Sequence, residues 1–214
     1  MRVNIGNFAN ADYLAAGSNQ LRQASAGFSQ RGERGWISAQ GAWQATDGID
    51  ACRGTAAGWG AGCYADEPDR DGYRNTSLNL RGGYALAETV QLEAHLLDVS
   101  SFNEYDGSIF GGNEADIVQQ VAGGTLVYAP STDVRLTAQA GRAYDRSTTF
   151  FRDADSGTRS DVGRIDTRRD TASLQADMGL ADAQTLSLGF DWQSDNVESA
   201  TDYALTARTN FAVF

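Results

Sequence analysis

No run of about 18 apolar residues occurs in the 214-residue chain, so no transmembrane helix is encoded. Proline and cysteine appear twice each and histidine once. No zinc-type spacing, nucleophile elbow or P-loop occurs. The single histidine, His95, sits mid-segment on a polar face and reads as a structural residue. The chain is therefore expected not to be an enzyme. Bases are scarce as well: 17 against 28 acids, for a net charge of −11 and a pI near 4.4. Nucleic acid demands a basic face that this composition does not supply. Met1 to Asn4 opens straight into polar alternation, without the basic and apolar regions of a signal peptide. The expectation is a mature form or an internal fragment.

What the chain has in quantity is alternation. Leu78, Leu80, Gly82 and Tyr84 share one face, with Ser77, Asn79 and Arg81 opposite. Val90, Leu92, Ala94 and Leu96 repeat the pattern, as do Ala122 to Tyr128, Val134 to Ala140 and Ala172 to Met178. Leu186, Leu188, Phe190 and Trp192 form the most apolar of these faces. Period-two alternation marks strands with one apolar side. About ten such segments are expected, most of 9 to 12 residues, the length that crosses a bilayer as tilted strands. Tyr84, Tyr128 and Trp192 stand near segment ends, where an interfacial aromatic girdle belongs. A mean hydropathy of −0.41 is compatible with this, because only alternate residues of such a strand meet lipid.

The connections read as alternately short and long. Three long ones are expected, at 47–72, 98–116 and 145–167. Asp47 to Gly72, Asp98 to Asp116 and Ser194 to Asp202 together hold more negative charge than the whole chain's net. The fold class that results is all-β: an antiparallel, up-and-down transmembrane β-barrel segment with short periplasmic turns and long extracellular loops. Within the first long loop, Cys52 and Cys63 read as a disulfide pair, which requires an oxidising compartment.

Three motifs stand in order along the chain: Gly48-Ile49-Asp50, then Asp66-Glu67-Pro68-Asp69-Arg70-Asp71-Gly72-Tyr73, then Asn103-Glu104-Tyr105-Asp106. With Gly189-Phe190-Asp191-Trp192-Gln193 and Arg208-Thr209-Asn210, they resemble a TonB-dependent outer-membrane receptor, most of all its cobalamin (vitamin B12) branch. The resemblance implies a bacterial outer-membrane location, contact with membrane lipid, a large nutrient ligand such as cobalamin, and TonB acting through a plug domain. It also implies a calcium site at Asp50, Asp69, Asp71 and Asp106, with Asp66 a looser match. Acidic oxygens in this number suit calcium, which takes six to eight oxygen ligands. No plug domain or TonB box is found, so residues 1–214 are expected to form a partial barrel domain, and Phe214 falls out of phase with a terminal strand signal. Two other readings stay open: a self-standing ten-strand barrel, porin-like or omptin-like, and a secreted acidic calcium-binding β-protein.

Overall fold

The computed structural model describes residues 8–10, 20–50, 67, 69–108, 110–181, 184–200 and 206–213. Cys52, Cys63 and Asp66 lie outside them. Among the described residues ten strands form a single antiparallel sheet in chain order. They are β1 (Phe8–Asn10), β2 (Arg22–Arg31), β3 (Gly35–Thr46), β4 (Tyr73–Ala87) and β5 (Val90–Ser108), followed by β6 (Gly112–Tyr128), β7 (Val134–Arg152), β8 (Arg159–Ala181), β9 (Gln184–Ser199) and β10 (Thr206–Val213). Each pairs only with its sequence neighbours, and no pairing joins β1 to β10 among the described residues. This is an open, up-and-down wall.

The face pattern decides what kind of wall it is. Residues level with one another across the sheet share a face, so Tyr84, Leu92, Leu126, Ala138, Leu174 and Phe190 form one apolar rung. The opposite face carries Arg81, His95, Gln139, Ser173 and Gln193. In a soluble β-sandwich the apolar face would be covered by a second sheet. Here Leu174 is 59% and Leu188 50% exposed, and Ala115 is the one buried apolar residue among those described. Among the described residues the apolar face has no protein partner, as a lipid-facing wall requires.

The apolar positions are rationed. From β4 to β9 each strand gives four successive outward residues to the band, from Leu78–Tyr84 on β4 to Leu186–Trp192 on β9. Seven residues cover roughly 24 Å of strand, close to the ~25 Å apolar height of a membrane barrel. The band is also staggered. Leu78 ends it on β4 and is level with Asp98, Gln120, Tyr144, Arg168 and Asn196. On β9 it ends at Trp192, four residues short of Asn196. Four residues over five strand steps, at ~3.4 Å along and ~4.8 Å across, is a tilt of about 30°, near that of closed barrels.

Two of the three expected long loops prove to be strand. The 98–116 segment continues the ladder until Glu104 pairs with Glu114, and the 145–167 segment stays paired from Asp145 with Thr167 to Arg152 with Arg159. The strands accordingly run to 19 residues on β5 and β7 and 23 on β8, longer than the expected 9 to 12. Beyond the band both faces are polar, so the apolar signal stops while the backbone ladder does not. Cross-strand charge pairs maintain the overhang. Arg142 meets Asp170 at 2.5 Å and Arg146 meets Asp166 at 2.7 Å. Burial would raise the Asp166 carboxyl, but hydrogen bonds from Arg146, Tyr144 and Arg164 outweigh it and hold its pKa to about 2.

At the short-turn end, Arg34 closes the wall. Its guanidinium donates to the carbonyls of Ala85 and Leu86 at 2.9 and 2.7 Å, tying the β2–β3 turn to the end of β4.

Leu188 lies inside the band, so Leu188→Arg in bilayer-inserted protein is expected to lower unfolding stability by about 2–4 kcal/mol. Denaturant titration in liposomes measures it. A neutral effect would mean the face has been assigned to the wrong side.

Candidate metal centre

The candidate site forms above the band, where the end of loop 47–72 meets β5. Gly48 starts it with a left-handed backbone (φ 67°), which glycine adopts without the Cβ penalty. A Cβ there would also run into the Asp71 carbonyl oxygen. The loop returns as Asp71 donates its N–H to the Ile49 carbonyl at 3.0 Å and Gly72 donates to that of Arg70 at 2.9 Å. Asp69 and Asp71 therefore leave a bend rather than the extended segment their i, i+2 spacing suggests. Their carboxylates still converge.

Asp106 arrives from the other side through an irregularity. Glu104 pairs with Glu114, whereas the next paired residue, Ser108, is level with Gly112. β5 thus carries two more residues than β6 between these points. Such a bulge re-aims side chains, and this one contains Tyr105, Asp106 and Gly107. One carboxylate oxygen each from Asp69, Asp71 and Asp106 lies within 4.8 Å of the others. Oxygens on a shell of ~2.3–2.6 Å about one calcium are at most roughly 5 Å apart, so the three fit a single ion.

Asp50 supplies the independent observation. Its Oδ1 and the Oδ2 of Asp106 are buried atoms without a hydrogen-bond partner among the described residues. A desolvated, unpaired carboxylate oxygen is costly, and a cation is one of the few groups that offsets it. Burial raises the Asp69 carboxyl, with Glu67, Asp106 and Asp50 adding repulsion. Burial likewise raises Asp106, helped by Asp71, Asp50 and Glu67. Three of the five expected ligands, Asp69, Asp71 and Asp106, thus lie together, with Asp50 near enough to repel Asp69 and Asp106. Asp66 is outside the described residues.

Three further residues hold the site without matching the expected ligand set. Glu67 accepts from Gly107 N at 3.1 Å and from Asn113 Nδ2 at 2.9 Å, while its own N–H donates to Asp106 Oδ1 at 3.3 Å. Glu104 Oε2 accepts from Gly72 N at 3.0 Å, and the Glu104 N–H donates back to the Gly72 carbonyl at 2.9 Å. Asn113, which is 8% exposed, also donates to the Arg152 carbonyl and accepts from its N–H. Glu67 and Glu104 lie inside the quoted motifs. Asn113 has no sequence signal, since its position depends on the bulge.

Comparison with known proteins finds no matching family model and no matching curated protein. Among solved structures, the wall is similar in fold to parts of receptor barrels. The chain is similar to BauA, the ferric preacinetobactin receptor of Acinetobacter baumannii, at 16% identity and a TM-score of 0.59, over 99% of this chain and 39% of that one. It is also similar to two mutant structures of PfeA, the ferric enterobactin receptor of Pseudomonas aeruginosa. One gives 18% identity and a TM-score of 0.63 over 91% of this chain and 30% of that one. The other, a complex with enterobactin, gives 15% and 0.63 over 90% and 31%. The chain thus spans less than two fifths of the receptors it resembles. These likenesses establish the fold.

The raised carboxyls set a sign for pH. Asp69 and Asp106 hold protons more tightly in the folded loop than at their ordinary 3.8, so without a cation loop docking is strongest below that pH. It weakens as pH rises through their raised values. With calcium present the order reverses, because protons then compete with the ion. Limited proteolysis of loop 47–72 in chelator and in calcium, across pH 3 to 7, is expected to show slopes of opposite sign. Matching slopes would mean that no ion binds there.

Proposed function

We propose that this chain is part of the wall of a TonB-dependent outer-membrane receptor that imports cobalamin or a nutrient of similar size, with calcium organising its outer loops. The observation that carries the reading is a joint placement. An unpartnered apolar band of membrane height lies on the same strands, below a carboxylate cluster drawn from the end of loop 47–72 and the β5 bulge, in the motif order of the cobalamin branch. On this reading calcium draws Asp50, Asp69, Asp71 and Asp106 together and so fixes the end of loop 47–72 against the β5 bulge. Ligand then meets an ordered outer rim. Transport needs no covalent step by the wall; TonB supplies energy through a plug domain outside this chain.

Calcium titration by calorimetry on the full-length protein tests the site. Asp71→Ala is expected to weaken binding about tenfold or more, since loss even of an outer-shell partner costs 10–100-fold at metal sites. Magnesium is expected to substitute poorly because it requires tighter octahedral geometry. Equal calcium binding by the wild type and Asp71→Ala would reduce the cluster to a solvated turn.

The names of the similar receptors favour a second ligand class, ferric siderophores. Equilibrium binding of cyanocobalamin and of ferric enterobactin to the full-length protein separates the two. The cobalamin reading expects the first to bind calcium-dependently and the second not at all. The opposite result would move the protein to the siderophore class while leaving the wall and the calcium site intact.

A further inference from the structure

The outward face of β7 and β8 carries a second feature, remote from the acidic cluster. Just above the band's last residues there, Ala140 and Ala172, stand Arg142 and Asp170, level with each other. The next rungs outward hold Tyr144 with Arg168, Arg146 with Asp166, and Thr148 with Arg164. The pairing shifts only beyond them, at Thr149/Phe150, so all of these residues keep the face of Leu136 and Leu174. Asp170 lies 2.5 Å from Arg142 and 3.5 Å from Arg168. Asp166 lies 2.7 Å from Arg146, contacts Arg164 as well, and accepts from the Tyr144 hydroxyl at 2.6 Å.

Each carboxylate therefore sits between two guanidiniums. The acids lie beneath, with side chains 23% and 14% exposed, and the bases lie outside at 41–61%. Self-neutralisation would need one acid per base. Four arginines on two aspartates leave a surplus of two positive charges. Of the flanking acids on this face, Asp116 and Glu114 are already held by Arg159, and Asp98, two strands from Tyr144, accepts from Gln120 at 2.6 Å. Glu198, level with Asp166 on β9, takes up one of the two charges and leaves one. The surplus persists in a chain whose net charge is −11.

We propose that this ledge binds the phosphate-bearing headgroup of an outer-leaflet lipid. The inference rests on the outer-membrane reading above. Its height is the argument, because the ledge begins where the apolar band stops. Acyl chains would lie in the outward groove just below, lined by Leu126, Leu136, Leu174, Leu188 and Phe190, and the headgroup would meet the arginines. All 17 bases of the chain are arginine, whose planar fork matches phosphate oxygens in a way a point charge does not. The two aspartates hold the forks in place, which lowers the ordering cost of binding.

The test uses full-length protein in phosphatidylcholine nanodiscs carrying bisphosphorylated lipid A or its dephosphorylated form, with retained lipid measured by native mass spectrometry. Wild type is expected to hold the bisphosphorylated lipid about thirtyfold more tightly than Arg142→Gln/Arg168→Gln. Arg169→Gln, on the opposite face and paired with Asp195, is expected to behave as wild type. Should the glutamine pair fail to insert, Arg142→Lys/Arg168→Lys decides, with a severalfold loss expected. Equal retention by wild type and the inserted variant pair, or equal retention of the dephosphorylated lipid, overturns the proposal. If the wild type inserts yet shows no lipid preference, the ledge alone is wrong. If it does not enter nanodiscs at all, the outer-membrane reading falls and the ledge with it.

Discussion

Every strand here depends on its neighbours for its backbone hydrogen bonds, and that dependence governs the rest of the structure. A strand cannot satisfy its own N–H and C=O groups, and within a lipid layer water cannot do so either. The ladder must therefore run unbroken through the apolar band, which it does from β2 to β9 except for the shift beside Ala85 at the short-turn end and the one at Gly179/Ala181. Once the ladder is continuous, register fixes faces. A slip of one residue would turn Leu186, Leu188, Phe190 and Trp192 to the polar side.

Above the band the same ladder runs on in water, under different forces. Apolar contact no longer selects a face, and the overhang is held by cross-strand charge. Exposed pairs of this type contribute little singly. Those on β7 and β8 are shared, with each aspartate contacting two arginines, and the hydrogen bonds to Asp166 are strong enough to depress its pKa. The Glu114 carboxylate, 3% exposed, between Arg152 and Arg159, is the most buried charge described. It is tolerated because both of its oxygens are met by guanidinium hydrogen bonds.

The sequence made the band legible because one physical cause, exclusion from lipid, writes a period-two signal. Strand order, facing residues and short turns all followed from it. The outer halves of β5 to β8 were not legible, since Arg146, Asp166 and their neighbours are polar on both faces and look like loop. Stagger was hidden as well: it appears only when Leu78 is set level with Asn196 across five pairings. At the candidate site, the acidic residues were visible in motifs, while the bulge that turns Asp106 toward Asp69 leaves no trace in hydropathy. Asn113 was invisible for the same reason.

The bulge also explains how a rigid wall can carry a responsive site. If β5 and β6 paired without interruption past Glu104, Gly107 N would be committed to the ladder and Asp106 would take whichever face its parity assigned. Two extra residues release both. Gly107 N turns to Glu67, Asp106 turns to the loop, and Asn113 passes the constraint on to Arg152 of β7. Among the described residues, the closing end of loop 47–72 is therefore fastened to the wall through carboxylates, namely Glu104, Glu67 and Asp106. On the proposed calcium reading, docking of that end depends on their charge and on the cation they share. The strands below, held by backbone bonds and apolar contact with lipid, depend on neither. A section of barrel can thus respond at its rim while its membrane-spanning part stays fixed.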